Sequence, residues 1–332
     1  MKAVVVREFG SASVEDWPDP RPAADGVVVH IEYIETNYPD ILVVEGRYQN
    51  KPALPFVPGK SAVGRIKALG DGVTQFGVGD RVALQIELGT FAERVCAPTA
   101  SCFPVPEGLD NRTAAALGLP YQTAWFALRE RAKFEAGQSV LVLGAAGGVG
   151  LATIQLGKAF GASTVIGTTR GAEKAERVRA AGADFVVETT RPDLRDALRD
   201  EVHAVTGGHG VDVVIDPIGG EATEAALRAL AWRGSLVIVG FAAGSIPTIK
   251  ANYLLVKNIM ASGLQWSDYR DRTPNLVARA QTEIFDLALQ GRLVPAIDAV
   301  LPLREFASAL DRIKTDKASG RILLIPSDES PP

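Results

Sequence analysis

The sequence is poor in the residues that build disulfides and metal centres. Its 332 residues include only two cysteines, Cys96 and Cys102, and only three histidines. Two cysteines are too few for a disulfide framework, and three histidines are too few for most metal sites that depend on imidazole ligands. Because the cytoplasm keeps thiols reduced, this scarcity favours a cytoplasmic protein.

An excess of positive charge is also missing. Lysine and arginine total 35, aspartate and glutamate total 39, and the formal net charge at pH 7 is −4. A chain with this balance and no basic run does not attract phosphate backbones or anionic membrane surfaces. We therefore expect no nucleic-acid partner and no membrane partner.

The chain has no long hydrophobic run of the kind that targets or spans membranes. Charges follow soon after the first apolar residues, so the N-terminus lacks the apolar core of a secretory signal. Residues 136–157 carry no charge, but their glycines separate a short β-branched piece from a helix-like piece. This is typical of a strand, a turn and a helix in a soluble domain.

Short apolar strands separated by proline and glycine clusters occupy the chain before about Pro120. This pattern predicts an antiparallel, partly closed sheet or barrel. The predicted strands are Ala3–Val6, Val27–Glu35, Ala62–Leu69, Arg81–Ile86 and Phe91–Ala97.

From about Gln138 to Gly240, apolar strands alternate with helix-length segments, which predicts a doubly wound parallel sheet with helices on both faces. The predicted strands are Val140–Leu143, Thr164–Thr168, Phe185–Glu188, Val211–Ile215 and Leu236–Val239. The predicted helices are Gly150–Gly161, Ala172–Ala181, Leu194–Thr206 and Glu221–Trp232.

The remaining chain is too short for a third domain. It contains a predicted helix, strand, helix and strand at Asn275–Gln290, Ala296–Leu301, Leu303–Ile313 and Arg321–Ile325, followed by a predicted disordered end at Ser327–Pro332. We expect this segment to fold back onto the first domain. The predicted division is residues 1–120 with 260–332, and residues 121–259.

A glycine-rich turn joins the first predicted parallel strand to its helix. It has alanine where the usual dinucleotide fingerprint begins with glycine, and its candidate cofactor-binding residues are Ala146, Gly147, Gly148, Val149 and Gly150. Gly147, at the third position of the fingerprint, lets the backbone approach a pyrophosphate. Gly150, at the sixth position, lets the helix pack on the strand, and the helix N-terminus supplies N–H donors. The alternative is a glycine-tolerant structural turn.

The tip of the second parallel strand carries no acidic residue of the kind that holds the ribose of NAD. Thr168, Arg170 and Lys174 offer a hydroxyl and two cations there, which suits the 2′-phosphate of NADP. Alternatively, Arg170 and Lys174 are solvated positions on a surface helix, and Glu173 between them weakens the preference by pairing with either.

Further motifs lie outside this turn: Asn37-Tyr38-Pro39-Asp40, Gly46-Arg47-Tyr48, Leu54 to Gly59, Gly79-Asp80-Arg81-Val82 and Gly182-Ala183-Asp184. With the glycine-rich turn, they resemble the zinc-free quinone oxidoreductases of the medium-chain dehydrogenase/reductase superfamily over almost the whole chain. The resemblance implies an α/β protein with a GroES-like, partly closed β-barrel catalytic domain at 1–120 and 260–332. It also implies a Rossmann domain that binds NADPH at 121–259, and a homodimer or homotetramer.

The resemblance also implies a metal-free enzyme. Zinc-containing members of the superfamily place a cysteine and a histidine at the motif positions that Asn37 and Lys60 occupy here. Neither an amide nor an ammonium replaces a thiolate or an imidazole on tetrahedral zinc.

In relatives, the residues that match Asn37, Asp40 and Tyr48 lie near the nicotinamide, which implies positioning roles. Tyr48 is also a candidate donor of a hydrogen bond or proton to the reduced oxygen; alternatively, it is a packing aromatic at the rim. Lys60 is a candidate for stabilising the developing oxyanion with its ammonium; alternatively, it is a solvated lysine at the rim.

Two candidate sites on the cofactor side also come from the resemblance. Gly240 and Phe241 match a nicotinamide contact, and Arg321 is a candidate for the 2′-phosphate. A rival within the sequence is Tyr253-x-x-x-Lys257, the spacing by which short-chain dehydrogenases set a lysine beneath a catalytic tyrosine. A match to a motif that spans only five residues arises easily by chance.

The predicted function is metal-free transfer of hydride from NADPH to a small acceptor that already stabilises negative charge, a quinone or an α,β-unsaturated carbonyl. One alternative acceptor is an enoyl thioester or another activated alkene. An alternative of another class is an NADPH-binding protein with a structural or RNA-binding role, although the acidic charge balance counts against RNA.

Overall fold

The computed structural model describes residues 1–326, and the end predicted to be disordered, Ser327–Pro332, lies outside the described residues. The chain divides into two compact units. The first unit consists of Met1–Leu119, Ser267–Leu289 and the chain from Pro295 onward; the second consists of Pro120–Trp266 and Gln290–Val294.

The strands run in chain order through both units. They are β1 (Lys2–Glu8), β2 (Ser11–Asp16), β3 (Gly26–Glu35), β4 (Ser61–Leu69), β5 (Arg81–Gln85), β6 (Arg94–Pro98), β7 (Cys102–Pro104), β8 (Ser139–Val142), β9 (Thr164–Thr169), β10 (Phe185–Glu188), β11 (Val211–Asp216), β12 (Leu230–Ile238), β13 (Met260–Gly263), β14 (Ile297–Pro302) and β15 (Arg321–Ile325).

The helices connect or flank these strands. They are α1 (Tyr38–Val44), α2 (Asn111–Ala116), α3 (Leu119–Phe126), α4 (Gly148–Ala159), α5 (Ala172–Ala180), α6 (Leu194–Val205), α7 (Gly220–Ala229), α8 (Ala251–Lys257), α9 (Trp266–Arg272), α10 (Pro274–Leu289) and α11 (Phe306–Lys314). Shorter turns are the 3₁₀ segments Thr99–Ser101 and Leu303–Glu305 and the π-helical segment Ala127–Arg131.

The first unit is organised around β3, the longest strand of its sheet. The strand order is β14-β15-β3-β4-β5-β7, with β6 also paired to β3, and most of these pairs are antiparallel. Val27, Val28, Val29 and Ile31 are buried while His30 is exposed, so one face of the strand is buried throughout this stretch and the other is buried only in part. The last strand of residues 1–326, β15, pairs with β3, so the C-terminal segment completes this sheet.

The second unit contains a parallel sheet of six strands in the order β10-β9-β8-β11-β12-β13. The strand order reverses between β8 and β11. In open α/β sheets, ligands bind outside the carboxyl ends of the strands at this reversal. The doubly wound parallel sheet predicted from the sequence is confirmed, and the site is to be sought in the loops after β8, β9, β11 and β12.

Three strands were not predicted. Strand β2 is largely exposed and polar, and β7 has only three residues. The third, β13 (Met260–Gly263), is a short edge strand whose residues are exposed or half-buried, so it has no apolar run to reveal it. Because β13 completes the parallel sheet, the second unit continues to Trp266, beyond the predicted boundary at residue 259.

Candidate functional site

The candidate site residues Asn37 and Asp40 stand at the start of α1, directly after β3. The Asn37 backbone N–H donates to Asp40 Oδ2 at 2.7 Å, and the Asp40 N–H donates to the Asn37 carbonyl at 3.0 Å. Asp40 is completely buried, and its Oδ1 has no hydrogen-bond partner among residues 1–326. Burial raises the pKa of Asp40 to about 7, although the Lys60 ammonium and the Asn37 N–H act in the opposite direction.

A buried ion pair fixes the Asn37 side chain. Arg321 Nη2 lies 3.0 Å from Glu35 Oε1 and donates to Asn37 Oδ1 at 2.7 Å. Asn37 Nδ2 then donates to Glu35 Oε2 at 3.3 Å, and the Leu119 N–H donates to the same oxygen at 2.9 Å. Because the guanidinium has these partners inside the first unit, the structure favours a role for Arg321 in orienting Asn37 over the predicted contact with a 2′-phosphate.

Lys60, just before β4, is 5% exposed. The alternative that it is a solvated rim residue is therefore wrong. Its ammonium donates to Glu87 Oε1 at 2.7 Å and to the Glu87 carbonyl at 3.3 Å. Arg270 Nη1 donates to Glu87 Oε2 at 2.9 Å from the other side.

Tyr48 brings an aromatic ring to this group. It is half-buried and packs against the apolar cluster of Val6, Val43 and Phe56. The Lys60 ammonium lies 4.6 Å from the centre of its ring. Both interpretations of Tyr48, as a packing residue and as a hydrogen-bond donor, stay compatible with this position.

In the second unit, the glycine-rich turn has the local geometry that its sequence predicts. A Cβ on Gly150 would lie 2.6 Å from Ala145 Cα, so only glycine permits this close approach. Gly144 has a φ of +57°, and a Cβ there would lie 2.4 Å from a side-chain methyl of Ile218. Helix α4 begins at Gly148, and its N-cap residue, Gly147, makes no side-chain capping hydrogen bond. Its first N–H groups therefore suit an anionic ligand.

Among the residues predicted for the 2′-phosphate, Thr168 is 1% exposed and Arg170 is exposed. Thr168 Oγ1 accepts from the Gly144 N–H at 3.2 Å, and its carbonyl accepts from the Ala145 N–H at 2.9 Å. Thr168 thus ties the turn to β9, which explains its burial better than a phosphate contact does. Arg170 and the half-buried Lys174 lie where α5 begins and stay candidates.

Glu188, at the end of β10, shapes the same region and was missed. It accepts from the backbone N–H groups of Gly171 at 2.7 Å and Thr190 at 2.9 Å. The Thr190 hydroxyl and these N–H groups lower the pKa of Glu188 to about 2. The carboxylate therefore holds the backbone that follows Arg170.

Asp216, at the end of β11, was also missed. It is completely buried, and its Oδ1 accepts from the N–H groups of Ile218 at 2.9 Å and Gly219 at 2.8 Å. Burial raises its pKa, although these hydrogen bonds oppose the shift. The Gly240 N–H donates to the Asp216 carbonyl at 3.3 Å. Asp216 thereby joins two loops: the turn of Ile218 and Gly219, which lies beside Gly144, and the loop that contains Gly240 and Phe241. The Phe241 side chain is 41% exposed.

The sequence of this turn contained a usable signal. Asp216 is followed by proline, isoleucine and two consecutive glycines, and aspartate at such a position often accepts hydrogen bonds from the backbone two residues on.

The Tyr253-x-x-x-Lys257 motif lies on α8, but the tyrosine and the lysine have separate partners. Lys257 Nζ donates to the carbonyls of Leu227, Arg228 and Leu230 at 3.1, 2.9 and 2.8 Å, which satisfies the end of α7. Arg195 donates to the Tyr253 hydroxyl at 3.1 Å. These contacts favour a structural role for the motif.

Comparison with known proteins agrees with this geometry. A family model described as "Alcohol dehydrogenase GroES-like domain" matches residues 23–107, and one described as "Zinc-binding dehydrogenase" matches residues 148–282. The chain is 35% identical to "Quinone oxidoreductase-like protein 2" of Bos taurus, over 97% of this chain and 92% of the relative. The chain belongs to the quinone oxidoreductase family of the medium-chain dehydrogenases/reductases. It is an oxidoreductase of that superfamily, with the predicted GroES-like and Rossmann domains.

Solved structures resemble this chain over almost its full length. Escherichia coli quinone oxidoreductase complexed with NADPH superimposes with a TM-score of 0.89 at 27% identity, over 98% of this chain and 100% of that one. A mycobacterial protein complexed with NADPH gives a TM-score of 0.90 at 31% identity, over the same shares.

Zinc, which the name of one matched family model implies, does not fit the residues at the superfamily's ligand positions. An ammonium paired with Glu87 at 2.7 Å occupies the position of the histidine, and a hydrogen-bonded amide occupies that of the cysteine. Within residues 1–326, no group of three or more His, Cys, Asp or Glu side chains is arranged to hold a metal ion.

None of the helices in residues 1–326 has the length and apolar composition needed to cross a membrane.

Proposed function

We propose that this oxidoreductase transfers a hydride from NADPH to a quinone. The observation that carries the proposal is the buried Lys60 ammonium against the half-buried Tyr48 ring, at a position where zinc members bind their metal. Because these residues do not fit a Lewis-acid metal, the acceptor must itself stabilise negative charge, as a quinone does. NADPH-bound relatives and quinone oxidoreductase relatives support this choice.

NADPH fits the turn that ends in α4. The uncapped N-terminus of α4 suits its pyrophosphate, with Ala146 to Gly150 providing the backbone. Arg170 and Lys174 bind the 2′-phosphate, and Gly240 and Phe241 contact the nicotinamide. When bound, the cofactor supplies the hydride.

In the first unit, residues of the protein orient the acceptor and donate a hydrogen bond to it. Asn37 and Asp40 hold the start of α1 in place. The Tyr48 hydroxyl donates to the oxygen that gains negative charge, and Lys60 contributes a positive field. A field of this kind is effective in a site where little water competes.

The test is the loss of NADPH absorbance with chelator-treated protein, offered a small quinone or an enoyl thioester, with NADH in parallel. We expect turnover with NADPH and the quinone, and a marked loss in Lys60→Met. Turnover with the thioester alone would reassign the protein to enoyl reduction. No turnover with either acceptor, despite NADPH binding, would favour a binding role.

The proposal includes a homo-oligomer. Among residues 1–326, strand β13 forms an edge of the parallel sheet, and the side chains of Leu255, Val256 and Met260 nearby are 79%, 75% and 48% exposed. A strand edge flanked by exposed apolar side chains favours association with another copy. Val256→Asp should lower the mass measured by light scattering, whereas an unchanged mass would contradict the use of this surface in an oligomer.

The cytoplasmic location and the absence of a nucleic-acid partner stay predictions.

A further inference from the structure

Four side chains of the first unit form a line of alternating charge that ends at the Tyr48 ring. Lys60 pairs with Glu87, Glu87 pairs with Arg270, and Arg270 donates to Asp271 at 2.7 and 3.1 Å. The Lys60 and Arg270 side chains are 6% and 9% exposed, whereas Asp271 is 61% exposed. The line thus begins in the interior beside Tyr48 and ends at solvent.

Sheet pairing brings the first two members together. Ser61 of β4 pairs with Gln85 of β5, and the Ile86 N–H donates to the Lys60 carbonyl at 2.8 Å, so the pairing continues one residue beyond both strands. Glu87 comes next and presents both its carboxylate and its carbonyl to the ammonium. Arg270, which lies on α9 far along the chain, donates to the other carboxylate oxygen of Glu87.

Lys60 contacts both Glu87 and the ring of Tyr48. Its ammonium donates to two Glu87 oxygens, at 2.7 and 3.3 Å, and its Nζ lies 4.6 Å from the centre of the Tyr48 ring. A cation over an aromatic face is attracted by the ring's electron density. Lys60 is therefore directed at the ring of Tyr48, and its position depends on Glu87.

We propose that Glu87 is a positioning residue that holds the Lys60 ammonium against Tyr48, with Arg270 bracing Glu87 from the opposite side. The inference rests on the proposed function, in which Tyr48 donates to the acceptor. Glu87 acts through Lys60 and touches neither acceptor nor cofactor in this role. A carboxylate bridging two buried cations is well suited to it, because each charge would be costly to bury alone.

The first experiment compares Glu87→Gln with the matched variant Asp271→Asn. Both remove one carboxylate that pairs with Arg270, but only Glu87 also binds Lys60. We expect kcat with a small quinone to fall about 10-fold in Glu87→Gln, because misplacing a positioned group by a fraction of an ångström is costly. The KM for NADPH should stay within about 2-fold in both variants, and kcat should stay near wild type in Asp271→Asn.

A double-mutant cycle separates positioning from general structural support. In a Lys60→Met background, Glu87→Gln should lower kcat by less than about 2-fold, because the group it positions is already gone. An equal loss in both backgrounds would show that Glu87 acts independently of Lys60 and would overturn the proposal.

The second experiment does not depend on turnover. Lysine labelling with an acylating reagent, followed by peptide mass spectrometry, should find Lys60 slow to react in wild type and at least about 5-fold faster in Glu87→Gln. Lys158, paired with Asp184 at 2.9 Å, is the internal reference and should not change. Unchanged labelling of Lys60 would overturn the proposal. If wild type reduces no quinone, the proposed function fails, while the labelling contrast still decides whether Glu87 holds Lys60.

Discussion

The two units prepare their functional groups in opposite ways. In the first unit, charged side chains are buried and hold one another, as Glu35 and Arg321 do. In the second unit, the proposed pyrophosphate site is formed by the backbone, and glycines such as Gly150 allow its segments to approach one another closely. The side chains of Thr168, Glu188 and Asp216 there accept hydrogen bonds from backbone N–H groups and so hold the loops in place.

This difference has an energetic consequence. A buried charge is stable only while its partner is present, so the first unit should be sensitive to loss of charge. A backbone loop tolerates loss of surface charge but not added volume, because the positions of its atoms are set by close contact.

Removing Arg321 should have the largest effect. Arg321→Met leaves the fully buried Glu35 without its cation, and we expect the free energy of unfolding to fall by about 3–5 kcal/mol in urea titrations. Arg312→Met, which breaks a more exposed pair with Asp298 in the same C-terminal segment, is the control and should cost less than about 1 kcal/mol.

The same variant tests the predicted phosphate contact. If Arg321 orients Asn37, folded Arg321→Met should bind NADPH and NADH with an unchanged affinity ratio. A selective loss of NADPH affinity would instead support the 2′-phosphate contact predicted from the sequence.

Asp40 should make stability depend on pH. Its pKa is about 7 in the folded protein and 3.8 ordinarily, so between these values the folded state holds the extra proton. Stability should therefore decrease with rising pH, by about 1.4 kcal/mol per pH unit at most. Asp40→Asn retains an acceptor for the Asn37 N–H and removes the titration. Its stability advantage over wild type should grow from pH 5 to pH 8; an equal difference at both would contradict a raised pKa.

Adding one methyl group to the turn should weaken NADPH binding. In Gly150→Ala, the new Cβ meets backbone at 2.6 Å, and we expect a cost of about 1–3 kcal/mol in calorimetric binding of NADPH. Gly157→Ala on the same helix is the control, because its Cβ would meet side-chain methyls of Val165 and Val140 at ordinary distances of 3.6 and 4.0 Å. Equal affinities of the two variants would argue against the role of the close approach.

Charge removal at the start of α5 should change selectivity and leave stability intact. Arg170→Gln is expected to raise the Kd for NADPH by about 10-fold while the Kd for NADH stays within about 2-fold. The Tm should stay near that of wild type, in contrast to Arg321→Met. A proportional loss for both cofactors would remove the 2′-phosphate role from Arg170.

The smallest expected effect is that of Tyr253→Phe. Its hydroxyl contacts only Arg195 among the partners identified in residues 1–326, so turnover should stay within about 2-fold of wild type. Abolished turnover would revive the short-chain dehydrogenase interpretation of Tyr253 and Lys257.

Sequence reasoning succeeded where neighbours in the chain determine the structure. Val211–Asp216 and Arg321–Ile325 were predicted to within one residue because each is a short, largely buried segment rich in valine, isoleucine or leucine. It failed for Met260–Gly263, an edge strand without such a run. For Lys60, burial was missed because its partner Glu87 is distant in the chain.

Local residue chemistry is enough to predict the alternation of strands and helices and the glycine-rich turn, and to show that zinc-ligand residue types are missing at the family's positions. The pairing of Glu35 with Arg321, the contact of Arg270 with Glu87 and the joining of two loops by Asp216 depend on the tertiary structure. The physical reason is that a charge pairs with whatever folding brings within a few ångströms, and spacing along the chain does not encode that partner.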